Sequence, residues 1–479
     1  MPSDPGAPPG VSLALWSFRD DVVIEPVVGG SLVVLTRWGD VRVDSPAPAI
    51  VDSLYRMTLG PVALTNVDDL DRDDLREVFM RLPGCVVRSL GLQETATPLL
   101  SAVPLAPGEV LEPPDLDEDL PVRLSRFAVV REDGGELVVE SPLSHHRVVL
   151  HRPLTTWVVG TLGRATTAHD IAHSINVTRQ LTTEILGYLV ATGMVVTGEV
   201  VGGRAVFAED TDPELRIWSP HDLLFHSRSR LGRHDDAAGA VFRNSPDLAP
   251  LPVVRPVPSG ERFPLYRPDL AGAPDEMTLT QAVERRHSVR EFADEGPSAR
   301  QLGELLFRAA RVRSQTEAVG AGGVRYPVSA RPYPSAGSLY ELDLYLTVDR
   351  SDGLPRGSYH YDPEGHALTL VNADAAHADE LLDSAMVLMG ARRRPPVLIT
   401  MTARMGRLSW VYDAIAYATT LKHVGVLQQT LYLVATMLGL APCAVATGDS
   451  ETATTAFGLD WPAEVSVGEF VIGLPRTDQ

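Results

Sequence analysis

Cysteine is almost missing from this sequence, with Cys85 and Cys443 the two among 479 residues. They stand far apart and without metal-ligand spacing, so neither a disulfide framework nor a zinc site is indicated, and a reducing cytoplasm fits. Long apolar runs are missing too: none approaches the ~20 residues that span a bilayer. The opening segment 1–10 is rich in proline and lacks the basic and apolar blocks of a secretory signal. Positive charge is scarce, with 42 Lys and Arg against 62 Asp and Glu for a formal net charge of -20, and such a chain repels a nucleic-acid backbone. The expectation is a soluble cytoplasmic protein with no membrane span and no nucleic-acid partner.

What is present is ordinary globular material, 44% hydrophobic and 22% charged. Its length predicts about two to three domains. Over 11–118, strand patterns at 13–18, 32–37 and 41–44 precede helical patterns at 50–59 and 71–82. Asp71, Asp73 and Asp74 suit the start of the second helix, and Pro83-Gly84 its end. Over 119–205, strands at 127–131, 137–140 and 148–150 precede helices at 155–162, 167–175 and 180–192, the last stopped by Gly193. Small strands followed by helices predict a winged-helix-like unit in each block, although either block also reads as structural support alone. Residues 206–275 form a Pro/Arg-rich connector, a composition that disfavours regular structure. His221, His226 and His234 within it lack metal spacing, so no metal is predicted. From 276 to 479, helical and strand patterns mix as in an α/β or α+β domain, and α+β is the class expected.

Two short segments carry the chemistry. Arg285-Arg286-His287-Ser288-Val289-Arg290 places three arginines and a serine just after an apolar-periodic run at 279–283. Guanidinium forks and a hydroxyl near a helix end suit a phosphate or another anion. Tyr333-Pro334-Ser335-Ala336-Gly337-Ser338 is a small-residue turn entering an alternating strand at 339–348. Its small side chains let the backbone approach a flat ring. Taken singly, the two segments also read as a solvated basic helix end and an ordinary turn.

Together they resemble the flavin-binding elements of the nitroreductase fold, in particular of the SagB-type dehydrogenases, the azoline oxidases that help make thiazole- and oxazole-containing peptides. The resemblance covers about the last 200 residues best. The segment 218–230 is also similar to one found in the larger SagB-type proteins. The resemblance implies FMN as cofactor, with Arg285, Ser288 and Arg290 matching the Arg-x-x-Ser-x-Arg pattern that holds its phosphate and ribityl chain, and with Arg286 beside them. It places Pro334, Ser335, Ala336, Gly337 and Ser338 against the ring and makes 357–362 a structural strand and turn. The apolar-periodic run 410–440 becomes the helix at the centre of a homodimer, FMN lying between the subunits, with Gln428 and Gln429 in reach of the flavin edge. Gly448 and Arg476 fall in the family's closing segments, Arg476 as a further phosphate contact. Cys443 reads as a packed thiol, since nothing beside it in sequence lowers its pKa.

One departure bears on mechanism. Where azoline-oxidising members carry Lys-Tyr, this chain has Val411-Tyr412. Azoline oxidation removes a proton and a hydride, so a missing amine removes a base or its orienter; Tyr412, Lys422 or a residue of a partner protein are the substitutes. The resemblance implies an FMN-dependent dehydrogenase that turns azoline rings of a ribosomal precursor peptide into azoles beside a cyclodehydratase. The N-terminal blocks resemble peptide-recognition domains that capture a leader peptide by strand addition. The alternatives are another flavin redox step on a peptide and a non-catalytic peptide-binding scaffold.

Overall fold

The computed structural model describes residues 12–65, 67–93, 97–108, 110–237, 239–271 and 277–476. The segment 1–10 and the expected boundary at 275/276 lie outside the described residues. The chain forms two compact units, residues 1–235 and 236–479.

In the first unit a six-stranded sheet runs Ser12–Phe18, Val86–Leu92, Pro98–Pro104, His146–Leu150, Glu136–Glu140, Val129–Asp133. Strands from both sides of the 118/119 division share this sheet. Two apolar cores sit in the unit. One gathers Phe18, Val34, Leu54 and Phe79 with helices Pro48–Met57 and Arg72–Met80. The other gathers Leu100, Val148, Ile171 and Ile185 with helices Pro153–Thr161, Ala168–Ile175 and Arg179–Ala191. The helix starts are set by local chemistry: Asp71 accepts the backbone N–H groups of Asp73 and Asp74, and Thr167 and Thr178 accept those of Asp170 and Leu181. The connector is more regular than its proline content predicts. Its helix Pro220–Arg228 is capped by Ser219 and opens on a proline, at the position where a missing N–H goes unused. Short helices at Ala208–Thr211 and Pro213–Arg216 precede it.

The second unit is built on a seven-stranded antiparallel sheet in the order Arg262–Pro264, Ala367–Asn372, Gly357–Asp362, Leu342–Val348, Val397–Arg404, Glu464–Gly473, Ala441–Val445. Leu342, Leu344, Leu346, Ile399, Met401, Phe470 and Ile472 pack with helices Ala299–Ala310 and Ala416–Met437. The intervening Tyr345, Leu398 and Val471 pack with helices Ala375–Leu388 and Ser450–Phe457 on the opposite face. Helices therefore cover both faces, and the strand expected at 339–348 starts at Leu342 and is buried throughout rather than on one side.

The helix expected over 410–440 spans Ala416–Met437. Tyr412–Asp413 instead pairs with Gly239–Ala240, and Ala414 at φ 58 separates that bridge from the helix. Val424, Leu427 and Leu431 face the sheet, whereas Leu421, expected on the same stripe, is exposed. No helix among the described residues is long and apolar enough to cross a membrane.

Candidate active site

Thr278 and Gln281 close a reciprocal capping box at the start of helix Leu279–Arg285, and the chain leaves helical geometry at Arg286. The arginine run thus follows a helix C-terminus, where the backbone dipole disfavours an anion. Any anion here is held by guanidinium groups and not by helix N–H groups, which corrects the helix-end reading. Backbone bonds Val289 N–H to Pro442 O (2.9 Å) and Ala293 N–H to Leu474 O (3.0 Å) fasten the segment to the last two strands. Ser288 Oγ hydrogen-bonds Tyr432 Oη at 2.7 Å, which also accepts the Ala444 N–H at 2.7 Å. The Arg286 guanidinium lies 5.1 Å from the Tyr432 ring centre. The Arg285 and Arg290 guanidiniums have no hydrogen-bond or ion-pair partner among the described residues, and Arg476 meets Glu291 at 3.4 Å. In a chain of net charge -20, unpaired guanidiniums on one short segment mark a place for an anion. Cys443 is buried nearby, and burial raises its pKa against the opposing effects of Arg290 and Ser288. It is a packed thiol.

The turn Pro334–Ser338 is held from three directions. Ser335 Oγ accepts the Tyr340 N–H at 3.0 Å, and Tyr340 Oη donates to Tyr333 O at 2.8 Å. Gly337, Ser338 and Tyr340 all take positive φ, a conformation that these bonds over-determine. His423 Nε2 accepts the Ala336 N–H at 2.8 Å, which puts the ring proton on Nδ1, and Nδ1 donates to Glu341 Oε1 at 2.8 Å. Above the turn, Tyr412 Oη lies 2.9 Å from where a Gly337 Cβ would stand. A side chain at 337 would displace the hydroxyl. Burial, then the Tyr326 phenol, raises the Tyr412 pKa, so near neutral pH it is a proton donor and not a phenolate base. Val411 is buried with Phe242, Tyr326, Leu339, Leu408 and Trp410, an apolar cluster with no provision for an amine.

A third feature sits at the end of strand Ala441–Val445. Gly448 lies directly on the Glu469 carboxylate, so that any Cβ there would overlap it. Gln428 Nε2 donates to Glu469 O at 3.2 Å. The carboxyl lines a cavity of about 420 Å³ with Tyr417, Thr447, Gly448, Trp461 and Ser466. Burial pushes its pKa up to about 7.

The structure therefore brings Arg286, Ser288 and Arg290 together with Tyr432 and Cys443, and Ser335, Ala336 and Gly337 together with Tyr412. Pro334 and Ser338 are exposed on the turn. Lys422 and Gln429 are exposed on the long helix without hydrogen-bond or ion-pair partners among the described residues. Sequence reading missed His423, Glu341, Tyr432 and Glu469. His423 shares the buried stripe with Thr420 and Leu427, a spacing that would have singled it out over its charged neighbour Lys422. Among the described residues no group of three His, Cys, Asp or Glu side chains is placed to hold a metal.

Two segments of the chain match known families. Residues 122–235 match the family described as cyanobactin oxidase ThcOx, and residues 283–474 match the nitroreductase family. A nitroreductase of Methanocaldococcus jannaschii is 30% identical over 187 residues, 39% of this chain and 85% of that protein. Among solved structures, a nitroreductase of Ralstonia eutropha is 22% identical, with 47% of this chain and 95% of that one covered at a TM-score of 0.37. The Escherichia coli microcin synthetase McbBCD complex with truncated pro-MccB17 bound is 22% identical, with 44% and 77% covered at a TM-score of 0.32. With most of a 30%-identical relative spanned and the family matched over 283–474, the chain belongs to the nitroreductase family of oxidoreductases.

Proposed function

We propose that this protein is an FMN-dependent dehydrogenase that oxidises thiazoline or oxazoline rings of a ribosomal peptide to azoles. The observation that carries the reading is the junction in one chain of a segment matching cyanobactin oxidase ThcOx, at 122–235, with a nitroreductase domain at 283–474. A peptide-modifying oxidase segment beside a redox domain points to a peptide as the substrate. The precursor peptide and a cyclodehydratase that forms its azolines are then the partners.

The residues present fit FMN. The Arg285 and Arg290 guanidiniums offer uncommitted donors of the kind that bind phosphate, beside Arg286 over the Tyr432 ring, Ser288 bonded to Tyr432 Oη, and Arg476 paired with Glu291. Gly337 and Gly448 leave room for the Tyr412 hydroxyl and the Glu469 carboxylate to stand directly against the backbone. When bound, FMN supplies a two-electron acceptor. The protein's own part is to hold the turn 334–338 through the Glu341–His423 pair, to present the neutral Tyr412 hydroxyl as a donor, and to keep Gln428 and Gly448 beside strand Glu464–Gly473. A homodimer across the long helix belongs to this reading, because Tyr417 and Leu421 leave an apolar stripe exposed on its outer side.

Buried Val411 favours a second reading, another flavin-dependent two-electron oxidation on a peptide with different proton chemistry. The absorption spectrum of the purified protein and the mass of an azoline peptide incubated with it separate the two. Flavin bands with a loss of two hydrogens per ring support the first; flavin bands with an unchanged azoline support the second.

A further inference from the structure

We propose that Glu469 is the proton acceptor of the azoline oxidation, the role for which Val411 leaves no lysine. The inference rests on the reading above and adds to it the residue that takes the proton.

The argument starts from the buried acids. Glu140, Glu209, Glu341, Asp343, Asp362, Glu464 and Glu469 are the buried carboxylates among the described residues. Glu140 pairs with Arg131 and Arg228, and Glu209 with Arg123 and Ser125. His423 serves Glu341, Arg404 serves Asp343, and Arg262 serves Asp362. Arg255 and Thr402 serve Glu464. Glu469, 7% exposed, has neither cation nor hydrogen-bond donor on its carboxylate. A buried acid without a partner is expensive for folding, and such exceptions concentrate where proton chemistry needs them.

Its surroundings are built to present it. Glu469 shares a sheet face with Val471, toward helices Ala375–Leu388 and Ser450–Phe457, and its strand neighbours are Thr400 and Val445. Thr400 Oγ1 is itself buried and unbonded. Gly448 supplies no side chain over the carboxylate, so the oxygens reach the 420 Å³ cavity, a volume suited to a small heterocycle with flanking peptide. Among the described residues the polar and titratable side chains facing it are few. Helix Ala375–Leu388 contributes Ser384, the long helix contributes Tyr417, and the loop before Ser450 contributes Asp449, whose carboxylate is committed to the Thr452 N–H at 2.9 Å. No cation stabilises the anion, so burial alone sets its affinity for a proton, near neutrality. A base with that affinity is matched to taking a proton at physiological pH. Tyr412, held neutral, is matched to giving one.

In the step assigned, a Glu469 oxygen forms an O–H bond with the proton of one azoline ring carbon. The electron pair of the broken C–H bond would become the new ring double bond, and the hydride of the neighbouring carbon would go to the oxidised flavin, the two-electron acceptor that FMN would supply when bound. The proton then passes from the carboxyl to water at the open side of the cavity.

The test uses the flavin-loaded full chain and a synthetic thiazoline peptide. Single-turnover rates are taken from about pH 5 to about pH 9, and the infrared band of protonated carboxyl is followed over the same range without substrate. The wild type should gain rate through an inflection near 7 while one carboxyl band disappears in step. Glu469→Gln should keep its flavin absorbance, lose both inflection and band, and turn over roughly a hundredfold more slowly. If Glu469→Gln fails to fold, Glu469→Asp keeps the band but sets the carboxyl back by one methylene, and should lose at least about tenfold in rate. A wild type that oxidises the azoline while Glu469→Gln matches its rate and pH profile overturns this inference alone, as does a missing band. A flavin-loaded wild type that leaves the azoline intact overturns both this inference and the function it rests on.

Discussion

Tyr412 and Glu469 are two weak acids whose environments set them to opposite tasks. With its hydroxyl against Gly337 and no side-chain hydrogen bond to lose among the described residues, Tyr412→Phe should keep the flavin and the stability but slow oxidation roughly a hundredfold. Stopped-flow oxidation with flavin absorbance as control measures this, and unchanged turnover would remove Tyr412 from the chemistry. Glu469 makes a separate prediction about stability. Its folded carboxyl holds a proton up to about pH 7, whereas the unfolded one releases it near 4.5. The native state therefore binds the proton more tightly, and stability falls as pH rises through that window, by about 3 kcal/mol in all. Glu469→Gln removes the loss, so its urea midpoint relative to wild type should improve between about pH 4.5 and pH 8. A constant difference across that range would mean that the carboxyl is solvated. At this scale the arginine run was legible, because three arginines in six residues are a local signal. Glu341 and Glu469 were not, because what distinguishes them is burial and partners supplied by distant elements, whereas the helical spacing of His423 was there to be read.

Among the elements, the long helix Ala416–Met437 joins the separate parts of the site. His423 reaches the 334–338 turn and Tyr432 reaches the arginine segment, nine residues and so ~13 Å apart along its axis. Its outer side carries Tyr417 and Leu421 with open space at Gly425. Leu421→Glu should leave the helix content intact and shift the protein from dimer to monomer with loss of flavin, as read by light scattering and circular dichroism. A monomeric, flavin-loaded wild type would contradict the dimer. Val411→Lys should destabilise the domain by about 3 kcal/mol or more, because the amine would enter the Phe242–Trp410 apolar cluster without a partner. A stable variant with faster oxidation would instead mean that the lysine site survives. Periodicity located this helix but overran its start, since strand pairing of Tyr412–Asp413 with Gly239–Ala240 depends on a segment about 170 residues earlier. The same limit explains the doubly covered strand Leu342–Val348, whose second face is closed by helices far along the chain.

For the whole molecule, the division into units 1–235 and 236–479 sets a segment matching cyanobactin oxidase and a nitroreductase domain in one acidic chain. Against an overall charge of -20 the arginine segment stands out as a local concentration of positive charge. Arg290→Ala should lower FMN occupancy of the purified protein by roughly tenfold in affinity through loss of one charge-assisted contact. The fold class was legible from alternating strand and helix patterns, while the sheet shared across 118/119 was not, since strand order is set by long-range pairing. The central claim is that this domain uses a bound flavin to take two hydrogens from azoline rings in a peptide. Mass spectrometry of a thiazoline peptide incubated with the flavin-loaded protein tests it most directly. The account predicts a loss of two hydrogens per ring with matching loss of the oxidised-flavin absorbance under anaerobic conditions, and an unchanged mass with fully oxidised flavin would contradict it.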